Sequence, residues 1–165
     1  MATAPELLAS PELAIRTMVE ADVPSVVAIE RAAYQFPWSE GIFRDCLRVG
    51  YVCRVATAGD EIIGYGVMSV GAGEAHILNL CVNAHFRCRG VGRHMLEYLV
   101  ERARAAGMAE AFLEVRPSNT AAIRLYQSMG FEQVGIRRGY YQAIGGREDA
   151  SVLKLSLSGR RPRSS

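Results

Sequence analysis

An apolar run, residues 77–82, passes through a short polar loop into Arg87-x-x-Gly90-x-Gly92 and then into a helical pattern. Glycine lacks a Cβ, so backbone approaches a ligand closely at such positions. The first N–H groups of a helix have no internal partner, and the macrodipole makes that end positive. A strand, a glycine-bearing turn and a helix N-terminus in this order suit a pyrophosphate, and Arg87, Arg89 and Arg93 add positive charge. The same stretch also fits an ordinary strand-to-helix connection, because short glycine motifs are common.

The other elements follow from hydrophobic period and punctuation. Residues 1–12 carry two prolines and little pattern, and read as a loose lead-in. A first strand is predicted over 13–19. Asp22 is placed to cap a helix, with Pro24 in its first turn and Val23, Val26, Val27, Ile29 and Ala33 on its apolar face. Phe36-Pro37-Trp38 ends that helix, and Ser39 starts another with Phe43, Cys46 and Leu47 inward. Strands at 51–58, 62–70 and 74–82 form a meander with turns at 58–61 and 71–73. A helix is predicted over 90–106, with Val91, Met95, Tyr98 and Leu99 at helical spacing and Gly107 at its end. A strand at 109–115, a helix at 120–129, and strands at 131–137 and 150–157 complete the order, with a polar, glycine-rich loop at 138–149. Meander strands plus crossover helices imply an α/β fold with a mixed sheet and helices on both faces.

At 165 residues the chain fits one domain with a proper core. Its formal net charge is +2. Arg160, Arg161 and Arg163 sit in a basic tail at 158–165, and without them the body is near neutral. That balance argues against nucleic acid as a direct partner. No apolar run is long enough for a membrane helix, and no signal peptide is visible, so a cytoplasmic, non-membrane protein is expected. Cys46, Cys53, Cys81 and Cys88 show no C-x-x-C spacing and are expected reduced. Cys81, His85 and Cys88 lack a second ligand cluster, so no metal is expected. His76 and His94 read as structural or surface residues.

Glu114 sits in a strand otherwise built of Phe112, Leu113 and Val115. A carboxylate there needs a cleft or partners; Arg116 is one candidate partner, and an exposed strand edge is the plain alternative. Asn119 and Tyr126 fall on one face of the following helix. If that strand and the 77–82 strand run parallel as neighbours, their C-terminal ends frame a cleft of the kind ligands favour. A phosphate cradle, a carboxylate and a phenol would then converge. Core packing for Tyr126 and simple capping for Asn119 are the competing readings.

The element order, the RCRGVG loop and the NTAAIRLYQSMGF segment resemble the GCN5-related N-acetyltransferases, the GNAT family. FPWSEGIF, LNLCV, HFRCRGVG, FLEVRPSNTAAIRLYQSMGF, RRGYY and GREDA resemble a narrower bacterial group within it, whose members acetylate the N-terminal alanine of ribosomal protein bS18. The resemblance covers residues 13–157 and implies the GNAT fold, a mixed sheet of about seven strands with about four helices, splayed between the fourth and fifth strands. It implies acetyl-CoA as cosubstrate and direct transfer to the α-amine of a protein N-terminus. Glu114 aligns with the general base and Tyr126 with the general acid. Leu80, Cys81, Val82, Arg87, Cys88, Arg89, Gly90, Val91, Gly92, Arg93 and Asn119 align with acetyl-CoA contacts. Phe36, Trp38, Tyr140 and Tyr141 are candidates to line a peptide groove, or else anchor loops. Glu30, Glu40 and Asp149 are candidates to attract the substrate ammonium. A small-molecule amine as acceptor, and a CoA-binding module without catalysis, are the rival functions; an acetyl-cysteine intermediate on Cys81 or Cys88 is the rival mechanism.

Overall fold

The computed structural model describes residues 12–157. The expected basic tail, and all of the expected lead-in but Glu12, lie outside the described residues. Seven strands form one open sheet: β1 (Leu13–Thr17), β2 (Val52–Ala58), β3 (Glu61–Gly71), β4 (Glu74–Val82), β5 (Glu110–Val115), β6 (Glu132–Ala143) and β7 (Gly146–Ser156). Their order is β1-β2-β3-β4-β5-β7-β6. The β1/β2, β5/β7 and β6/β7 pairs are antiparallel and β4/β5 is parallel, so the sheet is mixed. Four helices accompany it: α1 (Val23–Ala33), α2 (Glu40–Arg48), α3 (Val91–Ala105) and α4 (Thr120–Ser128). The parallel register ends at Ile77↔Leu113, while β4 itself continues to Val82 and β5 to Val115. Among the described residues no helix is long and apolar enough to cross a membrane.

The described residues fall into two compact units, 12–67 with Asn79–Leu96, and Met68–Leu78 with 97–157. In the first, Met18, Val23, Val26, Phe43, Val55, Ile63, Tyr65, Met95 and Leu96 are buried. β1 stops at Thr17 rather than at Val19, because the Val19 N–H turns to the Asp22 carboxylate at 2.8 Å. Asp22 therefore makes no side-chain cap for α1, contrary to the expectation from its position. It holds the 3-10 turn Glu20–Asp22 and accepts two hydrogen bonds from Arg16, at 2.8 and 2.9 Å. Ser39 does cap α2, its hydroxyl accepting from the Ile42 N–H at 3.2 Å.

In the second unit, Met68, Ala75, Ile77, Leu99, Ala103, Ala111, Leu113, Phe131 and Leu153 are buried. The largest departure from the sequence reading is at 138–149. These residues are not a loop but the outer half of the β6/β7 hairpin, with Tyr141↔Glu148, Gln142↔Arg147 and Ala143↔Gly146 paired. The ladder needs only backbone groups, and side chains left largely exposed give no apolar alternation to read. A register shift between Arg137 and Tyr141 inserts extra residues into β6. Gly139 takes φ +60° there; its N–H donates to Asp149 Oδ1 at 2.8 Å and its carbonyl accepts from Arg147 Nε at 2.6 Å.

Candidate active site

β5 alternates: Ala111, Leu113 and Val115 are buried, and Glu110, Phe112 and Glu114 lie on the other face. His76 on β4 is in register with Phe112. Paired residues share a face and residues two apart on a strand repeat it, so His76 is a diagonal neighbour of Glu114. His76 Nε2 stands 2.6 Å from Glu114 Oε1. Arg137 reaches the same carboxylate across one strand. Glu114 pairs with Val152 and Val152 with Gly135, so Arg137, two residues on, repeats that face. Its Nη1 donates to Glu114 Oε2 at 3.2 Å. The Glu114 side chain is only 8% exposed. Burial works to raise its pKa, but the hydrogen bonds and charges of His76 and Arg137 outweigh it, and the carboxyl is held below its ordinary value. The group is thus a carboxylate at neutral pH.

Arg116, the partner the sequence suggested for Glu114, goes elsewhere. It lies beyond the last residue of β5, and donates to Glu148 Oε1 and to the Gln142 carbonyl, each at 2.9 Å. Nothing in the local sequence marks His76 or Arg137 as a partner of Glu114. Their meeting with Glu114 depends on strand pairing, which no local pattern announces.

Tyr126 is buried on α4, its ring 6.0 Å from that of Phe131. Tyr140 and Tyr141 form an edge-to-face pair 4.8 Å apart, under the guanidinium groups of Arg137 (4.6 Å) and Arg116 (4.4 Å) respectively. Burial pushes the Tyr141 phenol up, and Tyr140, Glu114 and Tyr126 all add to the effect. Glu114, Tyr126, Tyr140 and Tyr141 therefore share one electrostatic neighbourhood. Asn119 caps α4, its Oδ1 accepting from the Ala122 N–H at 3.2 Å. Asp149 is committed to Gly139 and Arg138.

In the first unit, Cys88 and Gly90 have positive φ (+63° and +81°), and Arg89 between them does not. Such alternation turns successive N–H groups to one side, the geometry of an anion-binding nest, at the entry of α3. Arg87 Nε donates to the Val82 carbonyl at 3.3 Å and ties the loop to the end of β4, and Arg89 lies over the Phe86 ring at 5.4 Å. The Leu80 carbonyl accepts from the Tyr34 hydroxyl at 3.3 Å. Cys81 is buried and its thiol is pushed up by that burial, which makes it a poor nucleophile. Among the described residues no group of three or more His, Cys, Asp or Glu could hold a metal ion.

Glu30, a candidate for the ammonium, is 2% exposed, and its two oxygens accept from Tyr65 Oη, from Asn79 Nδ2 at 3.0 Å and from the Trp38 N–H at 2.9 Å. It is a tertiary anchor. Trp38 packs its ring 5.2 Å from Phe43, and Phe36 is exposed. Glu40 pairs with Arg44 on its own helix.

Residues 15–131 match the Acetyltransferase (GNAT) family. A [Ribosomal protein bS18]-alanine N-acetyltransferase of Salmonella typhimurium is 39% identical over 137 residues, 83% of this chain and 93% of that protein. The protein of the same name from Escherichia coli K12 is 37% identical over 144 residues, 87% of this chain and 97% of its own length. The crystal structure of the ribosomal-protein-S18-alanine N-acetyltransferase from Escherichia coli superposes with a TM-score of 0.84 at 34% identity, covering 93% of this chain and 99% of that one.

Proposed function

The chain belongs to the acetyltransferase (GNAT) family, whose acetyl donor is acetyl-CoA, and from that premise we propose that it acetylates the α-amine of an N-terminal alanine, with ribosomal protein bS18 as acceptor. The likeness, along most of the chain, to enzymes named for that reaction carries this reading of the acceptor. The chemistry is supported by one group: a strand carboxylate, Glu114, nearly buried and held anionic by two partners.

A free α-amine has a pKa near 8 and is largely protonated at neutral pH, so transfer requires a base. Glu114 takes that proton, and the amine nitrogen adds to the thioester carbonyl carbon. A backbone N–H within 80–82 stabilises the negative charge that builds on the acyl oxygen. As the C–S bond breaks, Tyr126 donates a proton to the departing thiolate; a phenol with a reference pKa of about 10 is a competent donor. The nest at Cys88, Arg89 and Gly90, the N-terminal turn of α3 and the arginines Arg87, Arg89 and Arg93 hold the pyrophosphate of the donor. Tyr140 and Tyr141 are assigned to the acceptor peptide, as separately are Phe36 and Trp38 of the α1–α2 connection.

Purified protein with acetyl-CoA, offered an alanine-initiated peptide beside a panel of small amines, tests the acceptor. CoA release is expected with the peptide; release with the panel alone rules this acceptor out. Glu114→Gln and Tyr126→Phe are each expected to lower kcat by about 10²–10⁴-fold while KM for acetyl-CoA holds. Wild-type turnover in either variant removes that residue's role.

A further inference from the structure

The β6/β7 hairpin is supported differently along its length. Its inner part lies beside β5, which pairs with β7 as far as Val115↔Ser151. Between Arg137↔Ala150 and Tyr141↔Glu148, β6 carries two residues more than β7, and the ladder is interrupted there. The rungs beyond, Tyr141↔Glu148, Gln142↔Arg147 and Ala143↔Gly146, lie past the end of β5.

One side chain reaches across to them. Arg116 follows Val115, the last residue of β5. Its Nη1 donates to Glu148 Oε1 and its Nη2 to the Gln142 carbonyl, each at 2.9 Å, and its guanidinium lies 4.4 Å from the centre of the Tyr141 ring. Tyr141 and Glu148 are partners in register, and paired residues share a face, so one planar group grips both strands at one rung. A guanidinium suits this task, with donors that diverge in its plane and a flat face for an aromatic ring. Ser118, from the same β5–α4 connection, donates from Oγ to Glu148 Oε2 at 3.1 Å.

We propose that Arg116 is a positioning residue for the acceptor: by tying the Tyr141↔Glu148 rung to the end of β5, two residues past Glu114, it sets where Tyr140 and Tyr141 stand relative to that carboxylate. This rests on the reading that these tyrosines take the acceptor peptide. Arg116 acts through the hairpin, so its contribution falls on peptide binding and leaves the donor and the proton transfers alone.

The test uses Arg116→Met, which keeps an aliphatic stem over the ring but removes the donors, together with Glu148→Ala and the double variant. The two side chains are 31% and 29% exposed, so their replacement leaves the core intact. Initial rates of CoA release are measured with alanine-initiated peptide varied at saturating acetyl-CoA, and with acetyl-CoA varied at saturating peptide. Arg116→Met is expected to raise the peptide KM about tenfold, the worth of one hydrogen bond to a charged group, with kcat and the acetyl-CoA KM within about twofold of wild type. Glu148→Ala is expected to move the peptide KM in the same direction, and the double variant by less than the product of the two, because the residues share one interaction. Backbone amide exchange over 141–148 is expected to quicken in Arg116→Met while that of β5 holds.

A wild-type peptide KM in Arg116→Met overturns the proposal, as does unchanged exchange in the hairpin. So does an equal loss in kcat or in the acetyl-CoA KM, which marks general damage, or a double variant showing the full product, which marks two independent residues. If Tyr141→Ala raises the peptide KM while Arg116→Met does not, only the positioning role falls; if Tyr140→Ala and Tyr141→Ala both keep the wild-type peptide KM, the assignment of the tyrosines to the acceptor has failed beneath it.

Discussion

Glu114 shows how little a residue's type says before its neighbours are known. In sequence it is one acid among apolar residues; in the fold it has His76 on one oxygen and Arg137 on the other. Because its folded pKa is depressed, these pairings stabilise the protein above the ordinary carboxyl pKa of about 4.3, and the contribution is lost as pH falls through the lower folded value. Arg137→Gln should therefore cost Tm at about pH 7, and the gap from wild type should narrow at a pH low enough to protonate the Glu114 carboxyl in both. Thermal melts at the two pH values check this, and a gap that stays constant removes the ion pair as its cause. Arg137 is 53% exposed, so solvent screening keeps the effect small.

Two hairpins separate what local chemistry dictates from what it tolerates. The β3–β4 turn places Ala72 at φ +54° beside Gly73 at φ +82°. Positive φ at both central residues is the signature of a tight hairpin turn that favours asparagine and glycine, and a left-handed alanine is strained by roughly 1–2 kcal/mol. Ala72→Gly is expected to stabilise by about 0.5 kcal/mol, since glycine's extra freedom in the unfolded chain offsets part of the relief. Urea denaturation measures it, and a loss of stability would contradict the turn geometry. The β6–β7 hairpin is the reverse case. Its outer half carries no apolar alternation, so the sequence reads as a loop where backbone pairing in fact continues to Ala143↔Gly146. The shift in register before Tyr141 puts two extra residues on β6, and burial, with the Glu114 charge, raises the pKa of both Tyr140 and Tyr141 beside it.

At the scale of the whole molecule, single buried polar groups join segments far apart in sequence. Glu30 on α1 gathers the Trp38 N–H, the Tyr65 hydroxyl of β3 and Asn79 of β4. Glu30→Ala would leave these donors without their acceptor, at about 3 kcal/mol; denaturant unfolding is the measurement, and a change under about 0.5 kcal/mol, the size of an ordinary surface substitution, would show that the anchor is dispensable. The sequence by itself determined the order of strands and helices, the α/β class, the glycine loop before α3 and the candidacy of Glu114, Asn119 and Tyr126. Each of these is written in a local period, a cap or a short motif. Only the tertiary structure decided that His76 and Arg137 share the Glu114 carboxylate, that Arg116 turns to Glu148, that Glu30 is an anchor rather than a lure for an ammonium, and that 138–149 is paired. Those outcomes depend on strand register and on contacts between residues from 8 to 49 positions apart; a sequence fixes such contacts only through the summed packing of the folded chain, where no single stretch contains the information.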